Sequence, residues 1–183
     1  MSTIDTTATT IPAGTYHDDG VHSSATFSVR HMVVSTFRGR FEDFSAQLVA
    51  GDDGSLRLDG VVKADSIVVK DENLAAHLKS PEFFDTERFP EIRFESLELT
   101  LDGDRVTVVG DLTIKDHTHP ITGTGTITGP AEDIAGRTKV GLQLETVVDR
   151  TQFGLDWNAP LPKGGVALAN DVTLEVELEL VKA

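Results

Sequence analysis

No cysteine occurs anywhere in the 183 residues. That absence excludes disulfides, zinc–thiolate centres, iron–sulfur clusters and a thiol nucleophile, and with them every disulfide-stapled scaffold. Aromatic rings other than phenylalanine are scarce: one tryptophan and one tyrosine stand beside nine phenylalanines. Basic residues are few as well, 16 Lys and Arg against 30 Asp and Glu, for a formal net charge of −14. Such a surface repels nucleic acid and anionic lipid headgroups, which argues against a DNA, RNA or peripheral-membrane role. Long apolar runs are missing too, and no stretch approaches the roughly 18 residues of a membrane span. Met1 to Thr10 lack both the basic start and the apolar run of a signal peptide. The expectation is a soluble, cytoplasmic protein without stable membrane insertion. A Gly-rich phosphate loop, a dinucleotide fingerprint and a Gly-x-Ser-x-Gly elbow are all lacking, so neither a cofactor nor an enzyme is expected.

What is present is alternation. Residues 1–13 read as a disordered, Thr-rich lead ending near Pro12, and residues 14–183 as one domain. In Leu56–Ser66 the even positions are apolar or small and the odd ones mostly charged. Val106, Val108, Gly110, Leu112 and Ile114 make a second such face. Val140, Leu142, Leu144, Thr146 and Val148 make a third, and Val172, Leu174, Val176, Leu178 and Leu180 a fourth. Period two is the signature of half-buried strands. Strands are expected near 14–18, 24–33, 36–49, 55–67, 91–102, 105–115, 119–128 and 137–150, with a further candidate at 168–181. A change of parity between Phe94 and Leu97 predicts a bulge near Ser96. Gly51-Asp52-Asp53-Gly54, Asp102-Gly103-Asp104 and Gly129-Pro130 are turn signals. One helical insertion interrupts the pattern at 70–85, with Asp71 as its cap. The fold class that follows is all-β: a single antiparallel barrel of about eight strands with a short helical insertion, large enough to hold packed side chains or one ligand.

Parity assigns Phe27, Val29, Phe37, Phe41, Leu58, Val62, Leu112, Ile114, Leu142 and Leu144 to the interior. Gly39, Gly60, Gly110, Gly123 and Gly125 fall on inward faces as well. Inward glycines mean either tight bends or space, and the pattern alone leaves both open. An apolar tube suits a flexible hydrocarbon better than a polar metabolite. Phe83, Phe84 and Phe89 on the insertion are lid or mouth residues, or ordinary packing of a long connection. His117 and His119 share one side of a strand and offer half of a metal site, an alternative that needs further ligands. A structural protein with a filled core is a third reading.

These residues also carry a family pattern. His22–His31 followed by Val34–Phe41 resembles the opening of the YceI family. His77-Leu78-Lys79-Ser80-Pro81-Glu82-Phe83-Phe84-Asp85, then Phe89-Pro90-Glu91-Ile92-Arg93-Phe94, is similar to its insertion and next strand. Gly110–Ile114 with Thr118-His119-Pro120-Ile121 resembles its hairpin, and Asp149–Leu155 with Trp157 its closing motif. Asp116 departs from the family's usual glycine, and the Arg-Asp pair expected before His77 is missing. The resemblance implies a lipocalin-like barrel that binds a polyisoprenoid, an isoprenoid quinone or a similar apolar lipid, in transport, storage or stress response. Many members are exported. It adds Phe94, Phe153 and Trp157 to the expected ligand-binding set. Inward parity and family position together nominate His31 and Arg150 for the lipid's polar head, or equally for a structural hydrogen-bond network inside the barrel. A homodimer is compatible with all of this.

Overall fold

The computed structural model describes residues 9–183. Its strands are β1 (Gly14–Asp18), β2 (Ser24–His31), β3 (Ser35–Phe41), β4 (Phe44–Ala50), β5 (Leu56–Lys63), β6 (Ile67–Val68), β7 (Glu91–Asp102), β8 (Arg105–Ile114), β9 (His117–Glu132), β10 (Thr138–Asp149) and β11 (Leu168–Lys182), with helix α1 (Glu72–Lys79) between β6 and β7. Every pairing is antiparallel. Strands β1, β4, β5, β7, β8, β9, β10 and β11 run in that order, and β11 pairs back onto β1, closing an eight-stranded barrel. Closure removes the exposed edges that invite aggregation.

Three of these strands are long and broken in the middle. β1 and β2 both lie against β11, Tyr16 opposite Lys182 and Val29 opposite Val172. β4 pairs with β1 while β3 pairs with β2, and β5 pairs with β4 while β6 pairs with β3. The breaks fall at residues 19–23, 42–43 and 64–66, on three neighbouring strands. Each has a local cause. Asp19 Oδ1 accepts the Val21 N–H at 2.9 Å, turning the chain outward, and Ser23 Oγ then takes the Glu179 N–H at 3.0 Å in place of a backbone partner. Asp43 O accepts the Lys63 N–H at 2.8 Å, and Ser66 O accepts the Glu42 N–H at 3.1 Å. Above the breaks β6 pairs with β3 alone, and α1 with its flanking turns stands in the chain between β6 and β7. Asp71 caps α1 by accepting the Leu74 N–H at 2.8 Å, as expected.

Several expectations change in detail. Segments 14–18 and 24–33 are two strands as expected, both laid along β11, while 36–49 is interrupted at 42–43 and 55–67 at 64–66. Gly129-Pro130 does not turn: β9 continues to Glu132, and the chain reverses at Asp133–Gly136. Gly129, at φ +103, instead marks a bulge where the register with β10 slips between Lys139 and Gly141. The bulge near Ser96 is present, and it leaves Leu97 exposed. Residues 1–8 of the expected lead lie outside the described residues. The rest of that lead is packed rather than loose: Ile11 is buried in the lower core, and Tyr16 Oη donates to Pro12 O at 2.7 Å.

The interior divides into two apolar clusters. The lower one is filled by Tyr16, Leu48, Leu58, Val106, Ile127, Val140, Leu142 and Leu180. The upper one gathers Ile67, Leu78, Phe83, Leu112, Ile114, Val148, Phe153 and Leu155 under partly buried rings. Along β11 the inward side chains change from fully buried Leu178 and Leu180 to half-buried Val172, Leu174 and Val176. Leu48→Ala should therefore cost about 2–5 kcal/mol in urea unfolding. Leu174→Ala should cost distinctly less. Equal losses would mean that the upper half is packed solid.

Candidate ligand-binding site

The upper half encloses a cavity of ≈ 630 Å³, inside the roughly 300–1,000 Å³ usual for a site that takes one organic ligand. Phe27, Phe37 and Phe41 form one wall, Phe44 and Val62 the next, and Ile92, Phe94, Leu112 and Ile114 the one opposite. Leu58, Val108, Leu144 and Leu178 belong to the lower cluster and make the floor. Leu74, His77, Leu78, Phe83 and Phe84 from the insertion cover it, joined by Phe153, Leu155 and Trp157. The rings contact one another: Phe27 lies 5.8 Å from Phe41, and Phe41 5.8 Å edge-on to Phe84. His77 is edge-on to both Phe83 (5.0 Å) and Trp157 (4.9 Å), clamping the insertion to the segment after β10. Such aromatic pairs add to simple area burial.

Of the residues expected from the sequence, Phe27, Val29, His31, Phe37, Phe41, Leu58, Val62, Phe83, Phe84, Phe94, Leu112, Ile114, Leu144, Arg150, Phe153 and Trp157 all line this cavity. Two do not. Leu142 points inward but sits below the floor in the packed cluster, because parity reports a face and not a height. Phe89 lies outside the cavity, with the Arg88 guanidinium 5.0 Å over its ring. His77, Phe44, Ile92 and Ile121 were missed. The break at 42–43 resets the alternation, so Phe44 faces in although its parity opposes that of Phe41.

The inward glycines also split. Gly60 and Gly123 line the cavity, and a side chain at Gly60 would meet nothing nearer than Ser45 O at 3.6 Å. Gly39, Gly110 and Gly125 make no space. Phe27 and Phe94 lie across the first two, and a Cβ on Gly125 would fall 1.7 Å from Gln143 O. Those three answer to close packing, the other two to the lumen.

One cation is built into the wall. Arg150, 5% exposed, donates Nε–H to Ala169 O at 2.9 Å, and Nη1–H to Leu155 O (2.5 Å) and Trp157 O (2.9 Å). Its Nη2 is buried without a hydrogen-bond partner. Burial pulls its pKa down from the ordinary arginine value, with Asp149 and Asp156 opposing. His31 lines the cavity yet is exposed, so the cavity opens to solvent at the β2–β3 end.

Sequence and fold comparisons agree on what kind of barrel this is. The YceI-like domain model matches residues 16–180. The chain belongs to the YceI-like family. A UPF0312 protein of Staphylococcus aureus (strain N315) is 34% identical over 164 residues, covering 88% of this chain and 94% of that one. Among solved structures, BcnA of Burkholderia cenocepacia superposes with TM-score 0.76 at 19% identity, over 91% of this chain and 99% of that chain. A polyisoprenoid binding domain from Saccharophagus degradans, implicated in plant cell wall breakdown, does so with TM-score 0.68 at 13% identity, over 94% and 100%.

In this YceI-like barrel only His119 of the pair considered as a metal half-site is hydrogen-bonded, and the Nδ1 of His117 is buried beside Asp116 without a hydrogen-bond partner. His119 Nε2 lies 2.9 Å from Gln152 O, with its ring edge-on to Phe153, and His117 Nδ1 lies 2.9 Å from Asp116 Oδ1. Among the described residues the group of three potential ligands is instead Asp19, His22 and Glu179, at the outer kink of β1 and β2. There the Lys139 ammonium already pairs with Glu179 and lies 3.9 Å from Asp19.

Arg150 and Asp149 together hold the rim. Asp149 Oδ1 accepts from Thr151 N and Oγ1 at 2.9 and 2.6 Å, and these bonds hold its carboxyl below the usual range. Arg150→Met should cost about 3 kcal/mol or more, since it strands buried carbonyls that now accept charged donors; thermal unfolding reads this. The Asp149 contribution is complete above the ordinary aspartate value near pH 4 and is lost as pH falls through its depressed value. Asp149→Asn, which accepts but does not titrate, should lower the melting temperature at neutral pH and make its fall on acidification shallower.

Proposed function

We propose that this protein holds one long apolar lipid, a polyisoprenoid or isoprenoid quinone, in the upper half of its barrel, and that it passes the lipid on unchanged. The observation that carries this reading is the cavity of ≈ 630 Å³, open at one end and walled by Phe27, Phe37, Phe41, Phe94 and aliphatic side chains, with Arg150 as the buried cation in its wall. The polyisoprenoid binding domain among its structural neighbours supports the ligand class.

Magnitudes fix the mode of action. Moving a tail from water into the lumen gains about 0.8 kcal/mol per CH₂. A few isoprene units thus approach the practical ceiling of roughly 18–21 kcal/mol. The competing site is a bilayer, where the tail is already dry, so exchange between membrane and barrel is close to neutral. The protein is then a carrier or buffer with weak selectivity for tail length. Selectivity rests on the polar head, for which the leftover Nη2 of Arg150 and the rim His31 are the available donors.

Protein purified without detergent should yield an isoprenoid lipid in an organic extract analysed by mass spectrometry. Gly60→Leu, which projects a side chain into open lumen, should lower that yield severalfold while the circular dichroism and melting temperature hold. Wild-type protein that neither carries nor takes up any prenyl lipid offered would sink the reading.

A further inference from the structure

The loop between β2 and β3 breaks the rules for an exposed turn. Met32 and Val33 occupy it at φ +54 and +65, a left-handed region suited to Gly, Asn or Asp and poorly to a β-branched residue. Both side chains and that of Val34 are exposed, Val33 at 72% and Val34 at 81%. Arg30 holds the turn in this shape, donating Nη2–H to Val33 O at 2.6 Å and Nη1–H to Thr36 Oγ1 at 3.2 Å. The Met32 N–H is bonded to Ala167 O at 2.8 Å, which sets the tip beside exposed Val166. The residues flanking the tip, His31 and Ser35, and Ala167 across from it, line the cavity. An apolar tip therefore stands at the mouth.

Charge distinguishes the same place. Although the whole chain carries −14, no Asp or Glu occurs from Ser24 to Phe41, where Arg30, Arg38 and Arg40 lie. Arg40 is paired with Glu42. The rim segment Trp157–Asn170, bounded by Asp156 and Asp171, likewise has no acid and contains Lys163. The bulk charge that argues against an anionic bilayer is thus withdrawn from the β2–β3 tip, where Met32, Val33 and Val34 expose consecutive apolar side chains beside Val166. Apolar side chains ringed by basic ones are what an interfacial anchor needs.

We propose that the Met32-Val33-Val34 tip, with Val166, seats the cavity mouth transiently on a bilayer bearing anionic headgroups. The proposal rests on the lipid-carrier reading for its purpose, since a seated mouth lets a tail pass without crossing water. Its geometry stands apart from which lipid is carried.

The lack of cysteine makes the test direct. Val34→Cys, labelled with an environment-sensitive fluorophore, places one probe on the tip outside the cavity lining. Vesicles of phosphatidylcholine and phosphatidylglycerol should shift its emission to the blue and raise its intensity. The bound fraction should fall as salt is raised, because screening shortens from about 10 Å at 0.1 M to 3 Å at 1 M. Val33→Asp with Val34→Asp should lower vesicle co-sedimentation of the unlabelled protein about tenfold or more. Aspartate tolerates the left-handed turn, so this variant should stay folded and still bind a prenyl lipid supplied in solution. A probe indifferent to vesicles, on protein that does bind supplied lipid, overturns the docking and leaves the carrier reading standing. Vesicle binding by protein that takes up no lipid does the reverse. A blue shift that grows with protein concentration alone, without vesicles, assigns the tip to a second copy of the chain and overturns the proposal.

Discussion

Everything in this structure depends on how β11 satisfies its backbone. Its C-terminal end pairs with β1 and closes the barrel, and the rest, from Leu168 to Glu177, pairs with β2. A strand that serves two partners on one side forces the chain between them to make a detour, at residues 19–23. Antiparallel neighbours then inherit the offset, at 42–43 and 64–66. Below that level the ladder closes around a full ring. Above it the ladder ends at β6, and the insertion carrying α1 takes over as cover. Hydrogen-bond continuity in one strand thus separates a sealed half from a half that has a mouth.

The side chains follow the same division. Below, Tyr16, Leu48 and Leu180 fill the ring completely, each 0% exposed. Above, large rings stand around the wall in tilted and edge-to-face contact. Polar groups are kept to the rim, where Arg150 draws the carbonyls of Leu155, Trp157 and Ala169 together. That guanidinium is both a fastener for the rim and a cation facing an apolar space, which is why its burial is tolerated: most of its donors are already satisfied.

Much of this was legible in the chain because alternation is a direct record of which face is wet. The faces through Leu58, Leu112, Leu144 and Leu178 were readable that way, as was the bulge at Ser96. Height along the barrel leaves no such record, so Leu142 looked like cavity wall when it lies beneath the floor. Inward glycines were ambiguous for a physical reason: the gap left by a missing side chain is taken by a neighbouring ring at Gly39 and Gly110 and stays open at Gly60. The kinks were hidden because a strand that breaks and resumes looks in sequence like two strands or one. Phe44 was missed, and Gly129-Pro130 was read as a turn, on that account. Phe83 and Phe84 were legible as a cluster, but their partner His77 was not, since edge-on contacts between distant residues leave no local pattern.

Trp157 is also an optical element. It is the sole tryptophan, half-buried on the lumen wall, with His77 at 4.9 Å and Phe83 at 5.5 Å. In most proteins intrinsic emission is an average over several indoles in unrelated settings. Here a single indole sits where the insertion, the rim and the lumen meet, with an imidazole against its ring. The molecule therefore carries its own gauge, whose spectrum is local to the junction between cover and lumen.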